Sequence, residues 1–210
     1  MKYRHPVTPI DPMSSFAQEI KKKLKIKEDP VYIDVELSKH AIVNECFANT
    51  SSQVDLNGGQ QVLGWALWEL PGVYFEAEFH AVWERPDGVL IDITPKKELT
   101  SRILFLRDPG TSYTGEQVDN LRLPISNDPA VMDFIQASEE EVKFMNEGSR
   151  QGQYGEITLT ENEAARYDQI QQRKTMATLG CIRLLQEIGP YTPCSCGCGR
   201  KTKWCDKRKL

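Results

Sequence analysis

Between Val73 and Trp83 the chain alternates with a period of two. Val73, Phe75, Ala77, Phe79, Ala81 and Trp83 interleave with Tyr74, Glu76, Glu78, His80, Val82 and Glu84, as in a strand whose successive side chains leave opposite faces. One face is apolar, and the other carries Glu76, Glu78 and His80. A second strand, Val89 to Thr94, puts Asp92 on the face of Leu90 and Thr94. Arg85-Pro86-Asp87-Gly88 joins them. Proline suits the first position of a type I turn and glycine the left-handed residue after it, which predicts a three-residue hairpin with a bulge. Such a turn closes near Arg85 and Val89, so each residue pairs with one of its own parity. His80 and Asp92 then share a face of neighbouring strands, within side-chain reach. A slip of one residue would separate them.

The same reading along the chain gives alternating helices and strands. Residues 1–13 hold three prolines and read as an extended arm. Ser15 with Gln18 caps a helix whose stripe is Phe16, Ile20 and Leu24, running to about Lys27. Val31 to Val35 is a short strand. A helix carrying Cys46 near its start covers Ala41 to Thr50 and continues to Asn57-Gly58-Gly59, although Thr50, Ser51 and Ser52 are weak interior helix formers. Gln60 to Leu70 is a tryptophan-rich strand turned by Pro71-Gly72 into the hairpin. Arg102 to Leu106 and Glu116 to Leu123 add strands. Asp128-Pro129 starts a helix to about Asn146. Thr160 with Glu163 forms a capping box for a long helix to Ile188, with Cys181 on its apolar face. The expected fold is α+β: an antiparallel sheet with packed helices, a long C-terminal helix and a small C-terminal module. The expected division is an arm and short helix over 1–30, a core domain over 31–189, and the module over 190–210.

Composition changes this picture at one place, the C-terminal tail. The 210 residues carry a net charge of -4, but Arg200 to Leu210 holds six basic residues against Asp206. That makes the tail +5 and leaves -9 on the rest, a pattern that fits an interaction arm for an acidic surface. No signal-peptide core is visible in residues 1–10 and no apolar run is long enough for a membrane span, so a cytoplasmic location is the default expectation.

Four of the six cysteines fall between Cys194 and Cys205, a density that in a cytoplasmic setting points to metal rather than to disulfides. The stretch from Pro193 to Cys205, PCSCGCGRKTKWC, resembles the SEC-C motif, a short zinc-binding module attached to many bacterial proteins. Cys194, Cys196 and Cys205 match its first three ligand positions, and Gly197, Gly199 and Lys201 its turn. The resemblance covers about the last 18 residues. It implies a bound Zn2+ whose fourth ligand is Cys198 or Asp206, since Asp206 stands where the motif has cysteine or histidine. It also implies a docking role, with an export chaperone, a ribosome or nucleic acid as the class of partner.

Cys46, His80 and Asp92 form the candidate catalytic set. In that order, with the cysteine at a helix start and the others on adjacent strands, they resemble the core of papain-like and transglutaminase-like enzymes over Ile42 to Pro95. The resemblance implies a thiol nucleophile, an imidazole that takes and returns its proton, and a carboxylate that orients the ring, with the Cys46 N–H as oxyanion donor. A second chemistry uses the same strand face: Glu76, Glu78 and His80, with Asp92, as ligands of a divalent metal. The function expected is a cytoplasmic bacterial or phage-type hydrolase or acyltransferase acting on an acyl or amide group. The competing expectation is a non-enzymatic adaptor whose zinc tail binds the partner.

Overall fold

The structure, a computed structural model, describes residues 5–96, 100–153 and 156–187 together with Arg200, Lys201 and Trp204. The expected zinc ligands Cys194, Cys196, Cys198, Cys205 and Asp206 lie outside the described residues. The chain forms two compact units, one of residues 8–68 and 77–112, the other of residues up to 7, 69–76 and 113 onward.

The first unit begins with α1 (Ser15–Leu24). Its cap is Ser14 rather than Ser15, since Ser14 Oγ accepts the Ala17 N–H at 3.2 Å. Lys25, left-handed at φ 58°, ends it before the expected Lys27. There follow β1 (Val31–Val35), α2 (Cys46–Asn57), β2 (Gln60–Leu70), β3 (Tyr74–Glu84), β4 (Leu90–Asp92) and β5 (Arg102–Arg107). The strands lie in the order β2-β5-β1-β4-β3, and β3 pairs again with β2, closing a five-stranded barrel.

The sheet is mixed, which corrects the expectation of an antiparallel one. β1 runs parallel to β4, with Asp34 beside Ile91 and Val35 beside Asp92. The connection explains it. A whole helix and a hairpin lie between these strands, and a connection of that length can return the chain in the same direction, as a tight turn cannot. The register of β3 with β4 is the one that the turn chemistry demands. Trp83 pairs with Ile91 and Glu84 with Leu90, the Arg85 N–H donates to the Val89 carbonyl at 2.9 Å, and Gly88 takes φ 85°.

Barrel closure also changes the reading of the two faces of β3. Ile33, Val62, Ala66, Val82, Ile103 and Phe105 form a buried core, with Val35, Trp68 and Leu90 packed on it. His80 shares the face of Val82, and Asp92 that of Leu90, so the face expected to be polar looks into the barrel. The opposite face is buried too, with the Phe79 ring 5.5 Å from Phe47 of α2 and 5.2 Å from Trp65. Phe105 fills the barrel because it faces Gly64, where a Cβ would stand 2.6 Å from its ring and 2.4 Å from the Leu106 carbonyl oxygen.

The second unit contains β6 (Leu121–Pro124), α3 (Pro129–Met145) and α4 (Glu161–Glu187). The Ile125 and Ser126 N–H groups both donate to the Val73 carbonyl, at 2.8 and 3.0 Å. Asp128 caps α3 by accepting the Ala130 N–H at 2.9 Å, with Pro129 at the first turn. The expected capping box starts α4: Glu163 Oε2 accepts the Thr160 N–H at 2.9 Å and Thr160 Oγ1 accepts the Glu163 N–H at 3.4 Å. Cys181 packs with Leu70, Val73, Tyr74, Val131 and Ile135, as expected of an apolar-face residue. Burial, with Asp128 adding to it, pushes its thiol up to about 11. No helix among the described residues is long and apolar enough to cross a membrane.

Candidate active site

Cys46 is the first residue of α2. The chain reaches it through Asn44 at φ 67°, a conformation that asparagine tolerates better than most residues. Helical propensity does not hold this start, but side chains clamp it. Thr50 Oγ1 donates back to the Cys46 carbonyl at 2.7 Å. Gln61 of β2 donates to Thr50 Oγ1 at 2.6 Å and to the Phe47 carbonyl at 3.0 Å. Asn49 accepts the Ile42 N–H at 2.9 Å and donates to the Ile42 carbonyl at 2.8 Å. Its amide also reaches Thr94 Oγ1 at 3.2 Å. The first turn of α2 is thereby tied to β2 and to the segment after β4, and Cys46 is 6% exposed. Sequence reading missed these clamps. The polar run that made α2 a weak helix supplies one of them, Thr50.

His80 and Asp92 come together as the hairpin register requires, with Nε2 of the ring 3.2 Å from Asp92 Oδ1. The Cys46 side chain lies close enough to His80 to help hold its ring protonated. The three residues singled out from the sequence therefore form one chain of contacts, thiol to imidazole to carboxylate. Asp92 Oδ1 also accepts the Thr94 N–H at 3.0 Å. His80 is 2% exposed and Asp92 0%.

Burial dominates the electrostatics of each group, and their pairing then overrides it. For His80, burial disfavours the charged ring and Lys96 opposes it further. The Asp92 carboxylate, helped by the hydrogen bonds to Asp92 and Cys46, outweighs both and pushes the ring up to about 10. For Asp92, burial raises the carboxyl, but the charges and hydrogen bonds of His80 and Lys96 hold it down at about 2. Lys96 is the unforeseen member: its Nζ lies 2.8 Å from Asp92 Oδ2. The signal was present in Asp92-Ile93-Thr94-Pro95-Lys96, but a lysine four residues on is a recognised neighbour only within a helix.

The alternative metal set is not assembled. Glu76 is taken by Arg122 Nε at 2.8 Å and by Asn120 at 2.9 Å, and Glu78 accepts the Trp68 indole N–H at 2.8 Å. Each carboxylate thus has a protein donor of its own. No group of three or more histidine, cysteine, aspartate or glutamate side chains gathers for a metal ion among the described residues.

Chemically, the arrangement places a thiol at the N-terminal end of a helix. The first N–H groups of a helix have no carbonyl partner within it, and its dipole favours negative charge at that end. An imidazole beside the thiol can receive its proton, and the Asp92 carboxylate at Nε2 of the ring stabilises the resulting cation. The chain matches no family model, no curated protein and no solved structure.

Proposed function

We propose that this chain is a thiol enzyme of the papain-like or transglutaminase-like kind, which hydrolyses or transfers an acyl or amide group. The observation that carries this reading is the contact of His80 with both the Cys46 thiol and the Asp92 carboxylate at the start of α2. In the form of the pair that holds a single proton, that proton sits on His80, and the Cys46 thiolate Sγ bonds to the substrate carbonyl carbon. His80 then gives that proton to the departing amine or alcohol as the C–N or C–O bond breaks, leaving a thioester. Water or a second amine attacks the thioester carbon and gives its proton to His80; the C–S bond then breaks, the acid or amide product leaves, and the proton stays with the Cys46–His80 pair. Asp92 keeps the ring oriented throughout, and the Cys46 N–H faces the developing oxyanion. The tail, by its likeness to the SEC-C motif, binds Zn2+ through Cys194, Cys196, Cys205 and either Cys198 or Asp206, and docks the enzyme on a partner.

The test is acid-quenched incubation with a simple activated ester such as p-nitrophenyl acetate, followed by peptide mass mapping. An acetyl group on Cys46 that disappears in Cys46→Ala and in His80→Gln supports the reading. A protein acetylated only on lysines, or not at all, refutes it. Burial of all three groups favours a second reading, in which the barrel is a catalytically degenerate scaffold and the tail alone carries function. In that case Cys46→Ala leaves every activity and partner unchanged.

A further inference from the structure

The triad chemistry leaves one half-buried charge without a role, the ammonium of Lys96. Its position follows from local sequence. Asp92 Oδ1 accepts the Thr94 N–H at 3.0 Å, the turn by which an aspartate bonds its own backbone two residues on. Pro95 comes next with its fixed φ, and the chain bends until Lys96 Nζ lies 2.8 Å from Asp92 Oδ2. The same ammonium is 3.2 Å from His80 Nε2. Its side chain is 16% exposed, where lysines ordinarily stay in water, and a cation so placed persists only when paired.

The charges of the cluster show what the pairing does. With Lys96 present, thiol, neutral imidazole, carboxylate and ammonium sum to zero. So do thiolate, imidazolium, carboxylate and ammonium. A proton can therefore pass between Cys46 and His80 without leaving net charge in a buried place. Without Lys96 both forms are net negative, and the imidazolium becomes the sole cation facing Asp92, which ties the proton to the ring. We infer that Lys96 is a positioning residue of this site, a fixed cation that holds Oδ2 of Asp92 and shares its charge with His80, so that the ring can release its proton.

The groups that face His80 are Cys46 from α2, Asp92 from β4 and Lys96 from the segment after it. Glu78, on the same face of β3, is held by Trp68. The catalytic meaning of this inference rests on the thiol-enzyme reading, but the effect on the ring does not. The experiment is a nitrogen-15 titration of the His80 ring, assigned with His80→Gln, in the wild type, Lys96→Met and Lys96→Arg. In Lys96→Met the midpoint rises by about one pH unit, or passes beyond the range over which the wild-type ring titrates. Lys96→Arg returns it to the wild-type position. Lys96→Gln, which keeps a donor for Asp92 without the charge, must behave as Lys96→Met does and stands in if the latter does not fold. Coincident midpoints, a fall in the neutral variants, or a wild-type ring protonated at every pH overturn the inference. Alkylation of Cys46 in the same samples separates the two readings. An inert Cys46 with a shifted ring retires the enzyme and leaves Lys96 its role, and a reactive Cys46 with an unmoved ring does the reverse.

Discussion

Replacing Asp92 by asparagine keeps the shape of the side chain and removes its charge, which takes the counter-ion from Lys96 and from the buried His80 ring. Breaking a buried pair in this way costs about 3–5 kcal/mol. The more searching consequence is in the pH dependence. In the wild type the folded ring titrates at about 10, above its unfolded value near 6.5. Its contribution to stability is fully present below about pH 6.5 and is lost as pH rises through about 10. Over that window one proton is bound in the folded state and none in the unfolded state. Stability therefore falls by about 1.4 kcal/mol per pH unit, or roughly 3 kcal/mol between pH 7 and pH 9. In Asp92→Asn, burial and Lys96 both push the ring below its unfolded value, so this slope vanishes above pH 7. The difference between the two proteins is thus greatest near pH 6.5 and closes toward pH 10. Urea-unfolding midpoints at constant ionic strength measure it, because titrating groups remote from the cluster cancel in the difference. A gap that is constant from pH 6.5 to 10, or that widens, refutes the ion-paired His80.

Three further outcomes are expected. Asp92 is held at about 2 in the fold, so its contribution is present above about pH 3.9 and is lost as pH falls through about 2; acid unfolding of Asp92→Asn accordingly begins at higher pH than that of the wild type. Phe105→Ala empties the barrel opposite Gly64 and lowers stability by about 3–5 kcal/mol, read from urea midpoints, and a loss below about 1 kcal/mol contradicts the described core. Chelation by EDTA removes one zinc per chain, detected by native mass spectrometry, exposes the thiols from Cys194 to Cys205, and leaves the far-ultraviolet circular dichroism of the body unchanged. A native mass with no metal and freely titrating thiols contradicts the SEC-C likeness.

Much of the fold was legible where local chemistry decides the outcome. Pro86 and Gly88 fixed the hairpin register, and with it the meeting of His80 and Asp92; Asp128-Pro129 and the box of Thr160 with Glu163 fixed two helix starts. Sequence reading failed where closure of the barrel decides. The parallel pairing of β1 with β4 joins residues separated by a helix and a hairpin, so no local pattern announces it. The face of Glu76, Glu78 and His80 read as the polar one of the strand, yet closure turned it inward and supplied Trp68 as a donor to Glu78. The place of Cys46 was half legible. Its helix was foreseen, but the clamps from Asn49, Thr50 and Gln61 that seat it depend on tertiary neighbours. Lys96 was missed because its approach to Asp92 comes from a turn after β4 and not from any periodic element.

The most direct test of the thiol–imidazole–carboxylate site is the rate at which iodoacetamide alkylates Cys46 at pH 6, followed by mass spectrometry of its peptide. Cys181 serves as an internal reference, also buried but with its thiol pushed up to about 11. The account predicts that Cys46 reacts at least about tenfold faster than Cys181 and that His80→Gln abolishes the advantage, since an adjacent imidazolium promotes the reactive thiolate. Equal rates at the two cysteines, or a Cys46 rate unaffected by His80→Gln, would contradict it.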